Sequence, residues 1–400
     1  MKKPLAPTPE LLSLLSGLVR ESRLPLLDRW FSHRAAGGKI RDPGKVWEEL
    51  RLTIFLAEAY IRSLESRGKR QFGYLSWEQL RSHLAEHLGA WASFALASPD
   101  EAWVADPCRW GMPAWLTEEL SRRKVISGWS DALFQSFLLS QLKPARLHLR
   151  YAPGRAGEMA REAWLEQGGT LEAVIPGVWA AQGKVSVFET EAWKKGAVSI
   201  QDAASFEAAR LVEPLPGQTV WDVCAGRGGK TSVLAEKMLG KGALWATDIA
   251  EHKLTDLKRR IIQSGWQNVR IQPWDGQKIP LFTKEVAKKG GFDRILVDAP
   301  CSASGTWRRD PDARFRVDPS GLNELESKQD RLLALAWGQL RPGGVLTYVT
   351  CSWLPRENED RVAYFENKTA PQARRSRQQL LGLPDFDANT MFVAQWIKPE

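Results

Sequence analysis

Cysteine, histidine, tyrosine and methionine are all scarce in this chain of 400 residues, with four cysteines and five of each of the others. So few cysteines exclude a disulfide-stapled scaffold. Cys108, Cys224, Cys301 and Cys351 also stand far apart, without a C-x-x-C or a nearby histidine, so no zinc site is expected. They read as reduced thiols of a cytoplasmic protein. No apolar run approaches the roughly 18 residues of a spanning helix, so no membrane partner is expected. The first residues carry two lysines and then prolines, and Leu11 to Val19 is short and broken by serines. This start does not read as a signal peptide. Internal repeats and long low-complexity segments are lacking too.

What is present is ordinary globular material: 43% hydrophobic and 26% charged residues, enough for two or three domains with buried cores. The net charge of +9 leaves two readings open, a polyanionic partner or a generally basic, solvated surface. A monomer is favoured.

Residues 1 to about 105 carry apolar residues at three- and four-residue spacing over Leu11 to Val19, Val46 to Leu64 and Trp77 to Leu96, which predicts helices. Pro113 opens a further predicted helix, Ala114 to Arg123. From Leu147 short β-type runs such as Val185 to Phe188 and glycine-bearing breaks predict a small mixed segment. The expected division is a helical accessory domain over 1–140 and a catalytic domain over 141–400, in which 141–210 is the mixed lead-in and 211–400 the core.

From Thr219 onward strand-length apolar runs alternate with helical stretches. The strands are Val220 to Cys224, Ala243 to Asp248, Val269 to Gln272, Ile295 to Asp298 and Val345 to Thr350. The helices are Thr231 to Met238, His252 to Ser264 and Leu325 to Leu340. This alternation predicts an α/β, Rossmann-like domain with a mainly parallel sheet, whose ligands bind at the carboxyl ends of the strands. The small basic cluster Arg374, Arg375 and Arg377 is expected in a solvated loop.

At the first strand end the chain reads Asp222-Val-Cys-Ala-Gly-Arg-Gly-Gly-Lys-Thr231. Its glycines allow a tight turn and close approach to a ligand, and the following helix start presents free N–H groups. The spacing is neither that of a P-loop nor that of a dinucleotide fingerprint. The second strand ends in Asp248, placed to accept from ribose hydroxyls, and the third is followed by Asp275, which could accept from an adenine amino group. Each aspartate could instead cap a turn or helix. Taken in order, the three features favour an adenosyl ligand without phosphates, S-adenosylmethionine.

Cys301 follows the fourth strand in Val-Asp-Ala-Pro-Cys-Ser, and Cys351 follows the fifth in Tyr-Val-Thr-Cys-Ser. Two thiols at neighbouring strand ends suggest an enzyme, although a lone cysteine there would more often be a small packing residue.

These runs, with Arg309-Asp-Pro-Asp312, Leu340-Arg-Pro-Gly-Gly344 and Pro355-Arg-Glu-Asn-Glu359, resemble the RNA (cytosine-5) methyltransferases, most of all the bacterial RsmB type that modifies 16S ribosomal RNA. Met112 to Leu116, Leu147 to Arg150 and Ile200 to Ser205 are similar to the approach to that family's catalytic domain, so the likeness covers about 110–400. It implies Cys351 as nucleophile on carbon-6 of cytosine, Cys301 as the residue that allows proton removal and release, Asp298 on the base edge and Lys230 beside the target nucleotide. For the cofactor it implies Cys224, Ala225, Gly226, Arg227, Gly228, Gly229, Lys230, Asp248, Asp275 and Asp298, with no metal. The implied partner is RNA, ribosomal first and transfer RNA as the alternative. A catalytically inactive RNA-binding homologue is the rival from another class.

Two stretches depart from the family. Gly226-Arg227 stands where Ala-Pro is usual, and Asp387 to Phe392 where a glycine and two aromatics are usual. Of the 19 tryptophans, Trp164, Trp245 and Trp337 read as packing, whereas Trp307, beside Arg308 and Arg309, is divided between RNA contact and a structural role.

Overall fold

The computed structural model describes residues 7–21, 25, 27–36, 38, 40–57, 60, 77–96, 112, 114–183, 185–280, 282 and 284–400. Cys108 and the turn expected at 105–111 lie outside them. The chain divides into two compact units: residues up to Pro144 together with Ser302–Leu322, and Ala145–Cys301 together with Asn323–Glu400.

The first unit is helical, with elements at Pro9–Leu18, Leu27–Ala35, Pro43–Phe55, Trp77–Ala85, Leu88–Leu96, Ala114–Ile126 and Asp131–Leu142. Local chemistry explains their starts. Thr8 and Asp42 accept the N–H of Leu11 and Lys45, and a proline follows each cap where its missing donor costs nothing. The apolar faces bury Leu11, Leu15, Leu50, Ile54 and Trp91 in one core. Trp77 to Leu96, read as one helix, is two, broken after Ala85. Phe315, from the 302–322 excursion, joins this core. Arg51, almost fully buried, ties the unit together by donating to the carbonyls of Arg308 (2.6 Å) and Leu142 (2.9 Å).

The second unit holds two sheets. The smaller is antiparallel, in the order β2-β3-β1-β4, from β1 (Leu147–Tyr151), β2 (Thr170–Ile175), β3 (Val178–Gln182) and β4 (Val198–Ile200). Val185 to Phe188, expected as strand, instead leads into a 3-10 turn at Val187–Glu189 whose Val187 side chain is buried while Phe188 is exposed. Side-chain alternation suits a strand, but no ladder partner is available to this segment.

The larger sheet is built from β5 (Thr219–Asp222), β6 (Ala243–Asp248), β7 (Val269–Pro273), β8 (Phe292–Asp298), β9 (Leu340–Thr350), β10 (Arg374–Leu381) and β11 (Met391–Ile397), in the order β10-β11-β9-β8-β5-β6-β7. β5 to β9 pair in parallel, and β11 and β10 add an antiparallel edge. Helices Gly229–Lys237, Glu251–Ser264 and Pro319–Gln339 connect the parallel strands. The central strands β5 and β6 are buried along their whole length, as expected of strands covered on both faces. The Arg374 cluster is not a loop: these arginines begin the edge strand β10, where exposed cations discourage further strand pairing.

Candidate active site

Sheet order, more than local sequence, assembles the site. β8 and β5 are neighbours, and the switch in chain direction beside β5 leaves a crevice at the carboxyl edge of the strands. β8 and β9 pair so that Asp298 lies opposite Val349, and the Ala299 N–H donates to the Val349 carbonyl at 2.9 Å. Cys301 is three residues beyond the first of these partners and Cys351 two beyond the second. The register therefore brings the two thiols together, with their Sγ atoms 3.3 Å apart.

A buried polar network holds both loops. Gln329, on Pro319–Gln339, donates from Nε2 to the Pro300 carbonyl (3.0 Å) and to Glu357 Oε1 (3.2 Å). The Tyr348 hydroxyl donates to the Glu357 carbonyl at 2.7 Å, and Thr350 donates to Asn358, whose own amide donates to the Ser352 carbonyl. Gln329, Glu357 and Asn358 are fully buried. Most of these buried polar groups pair with one another, only the Gln329 Oε1 lacking a partner among the described residues, and the result fixes the loop on either side of Cys351.

Lys230, in the first turn of Gly229–Lys237, donates to Asp298 Oδ2 at 2.8 Å. Burial by itself would lower the pKa of this ammonium, but the Asp298 carboxylate and negative charge at Cys351 and Asp222 outweigh it, and the pKa is raised. Lys230 therefore stays cationic beside Asp298. Asp298 Oδ1 has no hydrogen bond among the described residues, so this half-buried carboxylate keeps an acceptor for a ligand.

The glycine loop and Asp248 meet at the ends of β5 and β6. The Gly226 N–H donates to Asp248 Oδ2 (2.9 Å) and the Ala250 N–H to Oδ1 (2.8 Å). A carboxylate accepts about four bonds, so two sites remain for ribose hydroxyls. Ala225 is pinned to the Thr247 carbonyl at 2.8 Å. Gly228 has φ +82°, and a Cβ there would lie 2.2 Å from Leu257 Cδ1; only glycine permits both the turn and the contact. The Gly229 carbonyl accepts from Gln201 at 3.1 Å. Trp274 donates its N–H to the Asp248 carbonyl, which sets Asp275 at the neighbouring strand end, where its Oδ1 accepts from Gln277 in a turn. The residues thus fit an adenosyl ligand: close backbone, a ribose acceptor and a second carboxylate one strand further along.

Cys224 belongs to the glycine loop and is not part of the thiol pair. Burial, reinforced by Asp298, Asp222 and Asp248, pushes its pKa well above the ordinary thiol value, so it stays protonated and unreactive. Asp222, fully buried, accepts from Thr231 Oγ1 at 2.7 Å, and burial raises its carboxyl to about 7. The Arg227 side chain turns to an ion pair with Asp256 on Glu251–Ser264. Gly226 has φ +55°, which the alanine usual in the family would adopt only with strain.

Trp307 is 2% exposed and donates its indole N–H to the Ser302 carbonyl at 3.2 Å, so it is a packing residue of the first unit and not a surface for RNA. Asp222, Gln329 and Gln201 carry no role in the sequence reading. Asp222 stood within the quoted glycine-loop run, but nothing in the sequence places Gln329 between two loops. Among the described residues no group of histidines, cysteines and carboxylates is arranged to hold a metal, and no helix is long and apolar enough to cross a membrane.

Residues 209–385 match the family described as 16S rRNA methyltransferase RsmB/F. Ribosomal RNA small subunit methyltransferase B of Xanthomonas campestris is 30% identical over 342 residues, covering 78% of this chain and 72% of that protein. The chain belongs to the RsmB/F family. Its namesake from Enterobacter sp. is 32% identical over 252 residues, 60% of this chain but only 57% of the relative's length. The fold of the RsmB/F chain is also similar to that of the crystal structure of PH0851, with TM-score 0.71 and 22% identity over 99% of this chain and all of the other.

Proposed function

We propose that this chain transfers a methyl group from S-adenosylmethionine to carbon-5 of a cytosine in RNA, with 16S ribosomal RNA as substrate. The observation that carries this reading is the thiol pair beside the Lys230–Asp298 ion pair. Carbon-5 is a poor nucleophile until a thiolate adds at carbon-6, so one sulfur must attack. The motif position of Cys351 at the end of β9, at the strand edge that also carries the Lys230–Asp298 pair, supports Cys351 as the nucleophile. Asp298 Oδ1 accepts from the amino edge of the base, and a cytosine reaching it must leave its stack.

When bound, S-adenosylmethionine supplies the electrophilic methyl group, with Asp248 and the Cys224 to Lys230 loop holding its adenosyl and amino-acid portions and Asp275 near the adenine. After transfer the carbon-5 proton must leave before the Cys351–carbon bond can break and return its electron pair to sulfur. The 3.3 Å approach of Cys301 to Cys351 supports assigning that step to Cys301. Family membership and the close approach of the two thiols favour an active enzyme over an inactive RNA-binding homologue.

The test is to incubate the purified protein with unmodified 16S ribosomal RNA, and separately with unmodified transfer RNA, plus labelled cofactor, and to map 5-methylcytosine by mass spectrometry. Product on 16S RNA is expected. Product on transfer RNA alone would move the substrate, and no product with either would sink the proposal.

A further inference from the structure

The second unit contains an open groove of about 920 Å³ lined by neither Lys230, Asp298, Cys301 nor Cys351. It runs between the β1 and β4 side of the smaller sheet and the helix Glu251–Ser264. Ser232 and Glu236 line it from Gly229–Lys237. Ser232 lies about 200° around that helix from Lys230 at 100° per residue, so groove and thiol site occupy different faces of it.

Positive charge is concentrated here beyond what the local carboxylates offset. Arg150 pairs with Glu236 (2.8 Å), and Arg227 and Arg259 share Asp256. Arg260 and Lys195 also line the groove, and neither makes an ion pair among the described residues. Arg260 is half-buried, and its pKa is lowered first by burial and then by the charge of Arg150, with Asp256 opposing and Arg227 adding to the effect. A half-buried guanidinium that shares a groove with three other arginines and makes no ion pair of its own among the described residues is a favourable seat for an anion. The lip is apolar: Met159 is 57% exposed and Phe188 60%, the latter set edge-on to Trp193 with ring centroids 4.9 Å apart. Cations beside an exposed aromatic surface suit single-stranded nucleic acid, whose phosphates and bases alternate along the strand.

We propose that this groove binds the sugar–phosphate backbone of the RNA flanking the target cytosine, with a phosphate at Arg260 and a base against Phe188. The proposal rests on the RNA reading above. It also gives Arg227 a place: the residue that departs from the family's cofactor loop directs its charge into the groove.

The test measures binding of a fluorescent single-stranded 16S-derived RNA by anisotropy across a salt series, for the full chain and for Arg260→Gln, Phe188→Ala and Lys258→Gln. Arg260 loses no internal partner on substitution and Phe188 is exposed, so both variants are expected to fold, which their melting curves check. Lys258 is an exposed cation on the same helix outside the groove. Arg260→Gln is expected to weaken binding severalfold and to reduce the slope of log affinity against log salt by about 0.7, one phosphate contact on a single strand. Phe188→Ala should weaken binding at unchanged slope, and Lys258→Gln should change neither. Cofactor affinity by calorimetry should be the same in all four proteins. Equal effects of Arg260→Gln and Lys258→Gln, or no effect of either groove variant on a wild-type chain that binds RNA, would overturn the groove and leave the RNA reading intact. Failure of the wild-type chain to bind any RNA at low salt would overturn both.

Discussion

The sulfurs of Cys301 and Cys351 approach to 3.3 Å although 50 positions of sequence separate them. Two thiolates so close would repel strongly, so the pair is suited to a single negative charge with the other sulfur protonated. That asymmetry predicts different fates for the two alanine variants. Cys351→Ala should lose methylation by at least roughly a thousandfold and form no covalent complex. Cys301→Ala should accumulate a protein–RNA adduct that survives denaturing electrophoresis. An adduct from Cys351→Ala would reverse the roles.

The Lys230–Asp298 pair lies at the same strand edge and should behave as one unit. Asp298→Asn removes charge that would stabilise a protonated base, and roughly a hundredfold loss in kcat is expected. Lys230→Met strands the carboxylate and should cost a similar factor. The double variant should be much less impaired than the product of the single losses, because the second substitution removes a partner already lost. Strict multiplicativity in single-turnover rates would argue that the two act separately.

Gly226 and Gly228 share a left-handed conformation but not their surroundings. A Cβ at Gly226 meets nothing within 4 Å, so Gly226→Ala should cost only about 1–2 kcal/mol of backbone strain. Gly228→Ala adds a clash with the fully buried Leu257 and should cost more, roughly 2–4 kcal/mol. Gly228→Ala should also weaken cofactor binding, and Leu257→Ala in that background should recover part of the affinity. Denaturant titration and calorimetry read both effects, and equal costs at the two glycines would rule out the packing argument.

Asp222 predicts a pH dependence of stability. Its carboxyl rises from 3.8 to about 7 on folding, chiefly through burial. The unfolded chain therefore releases this proton first. The favourable contribution of the protonated group is present in acid, declines as pH rises above 3.8, and is gone above about 7. Asp222→Asn should remove this decline, so the variant gains relative to the parent as pH goes from 4 to 7.5, by on the order of a few kcal/mol. Urea unfolding at several pH values checks the sign, and a relative gain toward acid would contradict it.

Much of this was legible in the chain itself. Strand–helix alternation from Thr219 is a local pattern, and it located the strands that carry Asp222, Asp248 and Asp298 and the strand that Cys351 follows. The antiparallel strands β10 and β11 were less legible, because Arg374 to Arg377 is too polar to read as strand until β11 lies beside it. Trp307 misled for the opposite reason. Neighbouring arginines look like a surface, yet the excursion 302–322 buries the indole within the first unit.

Hydrophobic periodicity and the glycine turns are properties of neighbouring residues, so they are written along the chain and specify the α/β class and the strand ends where chemistry is possible. Which ends become neighbours depends on strand order and register, and those arise from contacts between residues 50 or more positions apart. The pairing of Asp298 with Val349 joins the thiols, and the nearness of β5 to β8 brings Lys230 to Asp298. The fold likewise turns Arg227 toward Asp256 and the basic groove. No local pattern encodes these distances, because each one is set by packing the whole sheet at once.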